Sequence, residues 1–216
     1  MKIILISFFI FFKLTLFAQL HFQFYWGTEP IQNTKKYFLN EKDWISFSEL
    51  KLYLSNFSLK SENNSIFINE IDLIDNEVEE SKTILDSIQI SNFNTLSFNF
   101  GLDSNINTSG ILTGDLDPVN GMYWAWNSGY IHLRMVGNSN LVNTNKMLFE
   151  YHIGGYRIPY QTCFQISIPL NGRNLKFDLK PLFINQIELV KNNNLMIPGK
   201  EAHLISKFAA NLFSIE

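Results

Sequence analysis

The sequence predicts an all-β protein, an antiparallel β-sandwich with a short C-terminal helix. Three observations carry this expectation. Many short stretches alternate apolar and polar residues at period two, clusters of Gly, Pro, Asn and Asp separate them, and no segment requires a long helix. There is no internal repeat.

Leu20 to Trp26 alternates large and polar residues and then meets Gly27 and Pro30, which reads as a first strand ending in a turn. Ile45 to Leu59 reads as two strands either side of Ser55-Asn56. Ser65 to Ile74 is another strand, and Asn76 to Ser81 an acidic loop. Ile84 to Ile90 fits a strand closing on Phe93, while Leu96 to Phe100 places Leu, Phe and Phe on one face and Ser and Asn on the other, the pattern of a half-buried strand. Asp103 to Gly110 reads as a polar loop, and Ile111 to Val119 as irregular, with Gly114 and Pro118 as breakers.

In Met122-Tyr123-Trp124-Ala125-Trp126-Asn127-Ser128-Gly129-Tyr130, strand alternation would send Met122, Trp124 and Trp126 to one face, with both indoles side by side. Gly129 to Gly137 is a strand, Asn138 to Asn145 a polar connection, and Lys146 to His152 its partner. Gly154-Gly155 and Pro159 force a loop. Phe164 to Ile168 and Leu175 to Leu179 flank Asn171-Gly172, a pair that favours a tight hairpin. Phe183 to Val190 is compatible with helix or strand, and the three-four apolar spacing of Ile205 to Leu212 favours a short helix.

Residues 1 to 18 read as a secretory signal: a short basic start at Met1-Lys2-Ile3, an apolar run from Ile4 to Phe12, and Leu16-Phe17-Ala18 as a small-residue cleavage site before Gln19. Lys13 interrupts the run, which leaves it too short and too charged to span a bilayer of about 30 Å as an integral membrane anchor. Cleavage leaves residues 19 to 216, a length suited to one β-domain in the periplasm or outside the cell. A net charge of −3 and the lack of any basic run longer than two residues argue against a nucleic-acid partner. Cys163, the single cysteine, excludes an internal disulfide and a thiolate metal cluster; it reads as a buried small hydrophobe.

The side chains suited to a soft metal ion, which prefers sulfur and imidazole donors, are Met122, Met135, Met147, Cys163 and the four histidines, His21, His132, His152 and His203. Alternation puts His132 with Tyr130 and Arg134, the setting of a surface or core histidine as well as of a ligand. Asp115, Asp117 and Asn120 form an oxygen-rich cluster that suits either a turn or Ca²⁺. No Gly-x-Ser-x-Gly element or comparable nucleophile context appears, so no enzyme motif stands behind the chain. The tryptophan patch equally suits a sandwich core or an aromatic binding site for an apolar or carbohydrate ligand.

Asp117-Pro118 and Gly121 to Gly137, with the run Met122 to Tyr130 at their centre, resemble the signature of the copper-binding MbnP-like domain of bacterial cell-envelope proteins. Phe47 to Leu59 with its Tyr53-x-Ser55-Asn56, Ile71 to Asp75, Leu96 to Asp103, Phe149 to Gly155 with its His152-x-Gly154-Gly155, and Ala209 to Phe213 resemble further segments of that family. The resemblance implies a copper site made from histidine and a tryptophan, the latter oxidised to kynurenine in some relatives by a haem peroxidase-type partner. On that basis Trp124 or Trp126 is the residue expected to be modified, with Met122 beside them, and His152 is the first imidazole ligand, with His132 and His21 as further ones. Family members often carry a first-strand histidine where this chain has Tyr25-Trp26. The alternative is a sandwich of the same family that binds no metal and serves as a binding or structural module.

Overall fold

A computed structural model describes residues 19–85 and 90–216. In chain order the strands are β1 (Leu20–Trp26), β2 (Glu29–Pro30), β3 (Tyr37–Phe38), β4 (Trp44–Lys60), β5 (Ser65–Asp75), β6 (Thr83–Ile84), β7 (Thr95–Phe100), β8 (Tyr123–Trp124), β9 (Gly129–Ser139), β10 (Leu148–Gly154), β11 (Phe164–Pro169), β12 (Asn174–Asp178), β13 (Asn194–Leu195) and β14 (Phe213–Ile215). Among the described residues three α-helices accompany them, α1 (Ser104–Thr108), α2 (Lys180–Asn185) and α3 (Lys200–Ala209), besides short 3-10 turns. The smaller sheet runs β14-β12-β1-β2, with β6 also on β1. The larger runs β11-β7-β4-β9-β10-β13, with β3 and β5 on β4 and β8 on β9. Most pairings are antiparallel, but β1 with β12 and β10 with β13 are parallel. The all-β sandwich with a short C-terminal helix is therefore the observed architecture.

Period-two patterning explains the core. Leu20, Phe22, Phe24 and Trp26 turn inward from β1, and Leu50, Leu52 and Leu54 from β4. Phenylalanines join the layers: Phe98 and Phe100 of the larger sheet meet Phe213 of the smaller at 5.3 and 5.7 Å.

Several local expectations are corrected. Ser55-Asn56 does not divide two strands; β4 runs through it, and Asn56 at φ 53° forms a bulge, a conformation that asparagine tolerates better than most residues. The hairpin across Asn171-Gly172 does not form, because β11 pairs with β7 in one sheet and β12 with β1 and β14 in the other. The turn carries the chain between layers, and Gly172 is needed for closeness: a Cβ there would lie 2.1 Å from the Glu216 backbone. Asp103 to Gly110 contains α1, started by Asp103, whose carboxylate accepts from Ile106 N at 3.0 Å. Phe183 to Val190 gives the end of α2 followed by irregular chain. Of Ile84 to Ile90, residues 86–89 lie outside the described residues, as do residues 1 to 18 of the expected signal.

Candidate metal centre beneath the tryptophan motif

The larger sheet has two faces, and the site lies on the outer one. Where β4, β9 and β10 turn Leu50, Leu52, Leu133, Met135, Phe149, Tyr151 and Ile153 into the core, the intervening residues must point outward. Register makes His152, Arg134, Lys51 and Asp75 successive cross-strand neighbours. Glu49 and Glu150 share this face, both opposite Val136. The charges pair: Arg134 Nε stands 3.0 Å from Glu49 Oε2, Arg134 Nη2 4.0 Å from Glu150 Oε1, and Lys51 Nζ 2.9 Å from Asp75 Oδ2.

Beside this charged row, the chain from Leu102 to Ile131 folds over the sheet and makes a second apolar cluster of Tyr53, Leu102, Leu116, Met122, Trp124, Tyr130 and Ile131. Outward-facing residues anchor the cover. Tyr53 Oη donates to Asp115 O at 2.7 Å, Tyr130 Oη to Leu116 O at 3.1 Å, and Arg134 Nη1 to Gly121 O at 2.9 Å.

The tryptophan motif is strand at Tyr123–Trp124 and again from Gly129, and between them it turns back on itself, with Asn127 N bonded to Trp124 O and Ser128 at φ 49°. Strand alternation therefore does not relate the indoles as expected. Trp124 is buried, 5% exposed, and Trp126 is 64% exposed, with ring centroids 5.8 Å apart and planes at 46°. Met122 is buried in the same cluster. Trp124 passes over Gly154, where a Cβ would lie 2.9 Å from Cζ3 and 3.0 Å from Cη2. Gly154 follows His152 by two residues, so their substituent directions share one face about 7 Å apart. Trp124 thus rests on the end of β10, the strand that carries His152.

His152 Nε2 is 2.9 Å from Glu150 Oε1, in reach but not aligned for a hydrogen bond, and is sealed from solvent; Trp124 Nε1 is also buried without a partner. Burial, and then the Arg134 guanidinium, hold the His152 imidazole below the usual histidine range against the pull of Glu150. A neutral imidazole is the form that ligates metal. On this face the His152 imidazole and the Glu150 carboxylate are the side chains within reach of one another, with the Arg134 guanidinium 4.0 Å from the same carboxylate oxygen.

The other expected ligands lie elsewhere. His132 is fully buried where β9 carries one extra residue opposite Ile153/Gly154. Thr162 Oγ1 donates to Gly155 O at 3.1 Å and so accepts from His132 Nδ1 at 2.9 Å, while Asn107 Nδ2 donates to Nε2 at 3.2 Å. Both ring nitrogens are thus engaged, and burial lowers the pKa to about 4. His132 joins α1, β9 and the loop after Gly155 as a structural link. His21 is on the smaller sheet, half-exposed and 3.7 Å from Glu79; His203 Nδ1 donates to Gln161 O at 2.6 Å. Cys163 is half-buried, its thiol pushed up to about 12 by burial and by Asp103. Asp115 accepts from Leu73 N, Asp117 from Val119 N, and Asn120 donates to Gly114 O and Asp115 O, which makes this cluster a turn. Among the described residues no three His, Cys, Asp or Glu side chains form a group that could hold a metal ion.

Sequence reasoning missed Glu150, Arg134 and Glu49. Their signal is a charged residue within an apolar strand, as in Leu133-Arg134-Met135 and Phe149-Glu150-Tyr151, which marks an outward position but not its cross-strand neighbour.

This is a β-sandwich whose tryptophan motif roofs a histidine-bearing outer sheet face. The MbnP family model matches residues 15–199, and the chain belongs to that family. A solved structure, MbnP from Methylosinus trichosporium, is similar in fold, with a TM-score of 0.57 at 11% identity over 80% of this chain and 78% of that one. No curated protein sequence matches the chain.

Proposed function

We propose that this chain is an exported copper-handling protein whose site is the outer-face junction of His152 and Trp124. Membership of the MbnP family supports the reading, and the observation that carries it is the Trp124 ring lying against Gly154, two residues along β10 from His152. Copper(I) would take the imidazole of His152, a borderline-soft donor. Oxidation of Trp124 to kynurenine would replace an indole nitrogen that cannot ligate by an amine and a carbonyl on the same wall, and Trp126 gives a haem peroxidase-type partner an exposed aromatic contact. Among the described residues no helix is long and apolar enough to cross a membrane. Metal analysis and intact mass of protein from its native host test this. Stoichiometric copper with an oxidised-tryptophan mass supports it; copper-free, unmodified protein from copper-replete cells contradicts it.

A second reading, a metal-free binding module, is favoured by one observation. Exposed Trp126 adjoins a cleft of about 170 Å³ lined by Asn127, Tyr156, Arg157 and Tyr160, an arrangement that suits a small ring-shaped ligand.

A further inference from the structure

We infer that the cleft beside Trp126 binds one acidic sugar ring, a hexuronate, whose carboxylate is taken by the Arg157 guanidinium. This rests on the cleft described under the second reading above and names its ligand class; it is independent of copper at the outer sheet face.

Tyr156, Arg157 and Tyr160 come to the cleft from the loop after β10, and Asn127 from the turn after Trp126. Its volume of about 170 Å³ is below the roughly 300–1,000 Å³ of sites for drug-sized molecules, so it suits a single ring. The aromatic walls are held in place by contacts outside the cleft. Tyr156 rests against Gly129, where a Cβ would lie 3.2 Å from Cε1. Tyr160 meets the His203 ring at 6.3 Å, and His203 Nδ1 in turn donates to Gln161 O at 2.6 Å. Walls fixed before binding lower the ordering cost that a ligand must offset.

The lining chemistry selects the ligand. A phenol ring has an apolar body, negative on its face, and a polar tip, so it can lie against the C–H face of a pyranose and still reach water. The Asn127 side-chain amide makes no hydrogen bond among the described residues, which leaves donors and an acceptor for sugar hydroxyls. Arg157 forms no ion pair among the described residues; its guanidinium lies over the Tyr156 ring, 5.5 Å from the centroid. No acidic side chain lines the cleft. Asp103, which shares the adjoining hollow with Arg157, is already engaged, accepting from Ile106 N at 3.0 Å and from Asn56 Nδ2 at 3.2 Å. The result is a guanidinium fork beside aromatic walls with no carboxylate of its own, and such a fork binds a carboxylate through two parallel hydrogen bonds.

Amide-shift titrations of the ¹⁵N-labelled full chain with methyl glucuronide and with methyl glucoside test this. Wild type is expected to bind the glucuronide about tenfold more tightly than the glucoside, the scale of one charge-assisted contact, with shifts centred on Asn127, Tyr156, Arg157 and Tyr160. Arg157→Gln should erase that preference, and Tyr160→Ala should weaken both ligands. Equal affinity for the two ligands in wild type would overturn the hexuronate assignment and leave the cleft as a neutral-ring site. Binding of neither, or shifts centred elsewhere, would overturn the cleft as well, and neither result bears on copper. The wild-type comparison decides the matter even if a variant fails to fold.

Discussion

Trp124 lies on Gly154 with its Cζ3 and Cη2 where a side chain on that residue would begin, at 2.9 and 3.0 Å from an ideal Cβ. The same Cβ would stand 2.5 Å from Tyr130 O, a backbone atom that cannot move aside cheaply. The contact fixes which indole belongs to the sheet and which to the surface, and it places the tryptophan motif over the strand that bears His152.

Gly154→Ala is therefore expected to push the indole off β10 and to destabilise the fold by about 1–3 kcal/mol, the usual cost of overpacking. Urea unfolding measures the loss, and near-ultraviolet circular dichroism reports the displaced ring. An unchanged midpoint and an unchanged aromatic band would show that Trp124 does not rest there.

The two indoles should separate in their consequences. Trp124→Ala empties a buried site and should cost about 3–5 kcal/mol. Trp126→Ala loses mainly a ring contact with Trp124 and should cost at most about 1 kcal/mol. Equal losses in chemical denaturation would mean that the exposed and buried assignments are wrong.

His132 should make the fold acid-sensitive. The native state holds it neutral with a pKa of about 4, and its ordinary value is 6.5, so the unfolded chain takes up a proton that the folded chain refuses. Its contribution is complete above pH 6.5 and declines as pH falls towards 4, amounting to about 2–3 kcal/mol lost by pH 4.5. Unfolding at pH 7 and 4.5 in wild type and His132→Phe checks this. The variant should be less stable at pH 7, because Asn107 and Thr162 lose their partner, and should show a smaller drop on acidification. The same drop in both would exonerate His132.

Export should remove residues 1 to 18, since Ala18 suits the cleavage site and Gln19 would then begin the mature chain. Peptide mass of the exported protein should start at Gln19 or its cyclised form. Met1 retained in the envelope fraction would contradict it.

What the sequence made legible follows from the range of the forces involved. Period-two alternation is local, so Leu20–Trp26, Thr95–Phe100 and Gly129–Ser139 could be read directly. Sheet membership is not local: Asn171-Gly172 has the residues of a hairpin turn, yet packing against Glu216 sends its flanking strands to different sheets. His152 stood out through its Gly-Gly context. Glu150 and Arg134 did not, because only the register of β10 on β9 puts them beside it. His132 has the same composition signal as a ligand, and only the positions of Asn107 and Thr162, 25 and 30 residues away, show that its nitrogens are spent.

The most direct test of the copper site is a competition titration with a copper(I) chelator on wild type, His152→Ala and His21→Ala. Wild type is expected to bind copper, His21→Ala to match it because that residue lies on the other sheet, and His152→Ala to lose affinity by at least about tenfold. Equal affinity in wild type and His152→Ala would contradict the assignment and give first place to the metal-free binding module.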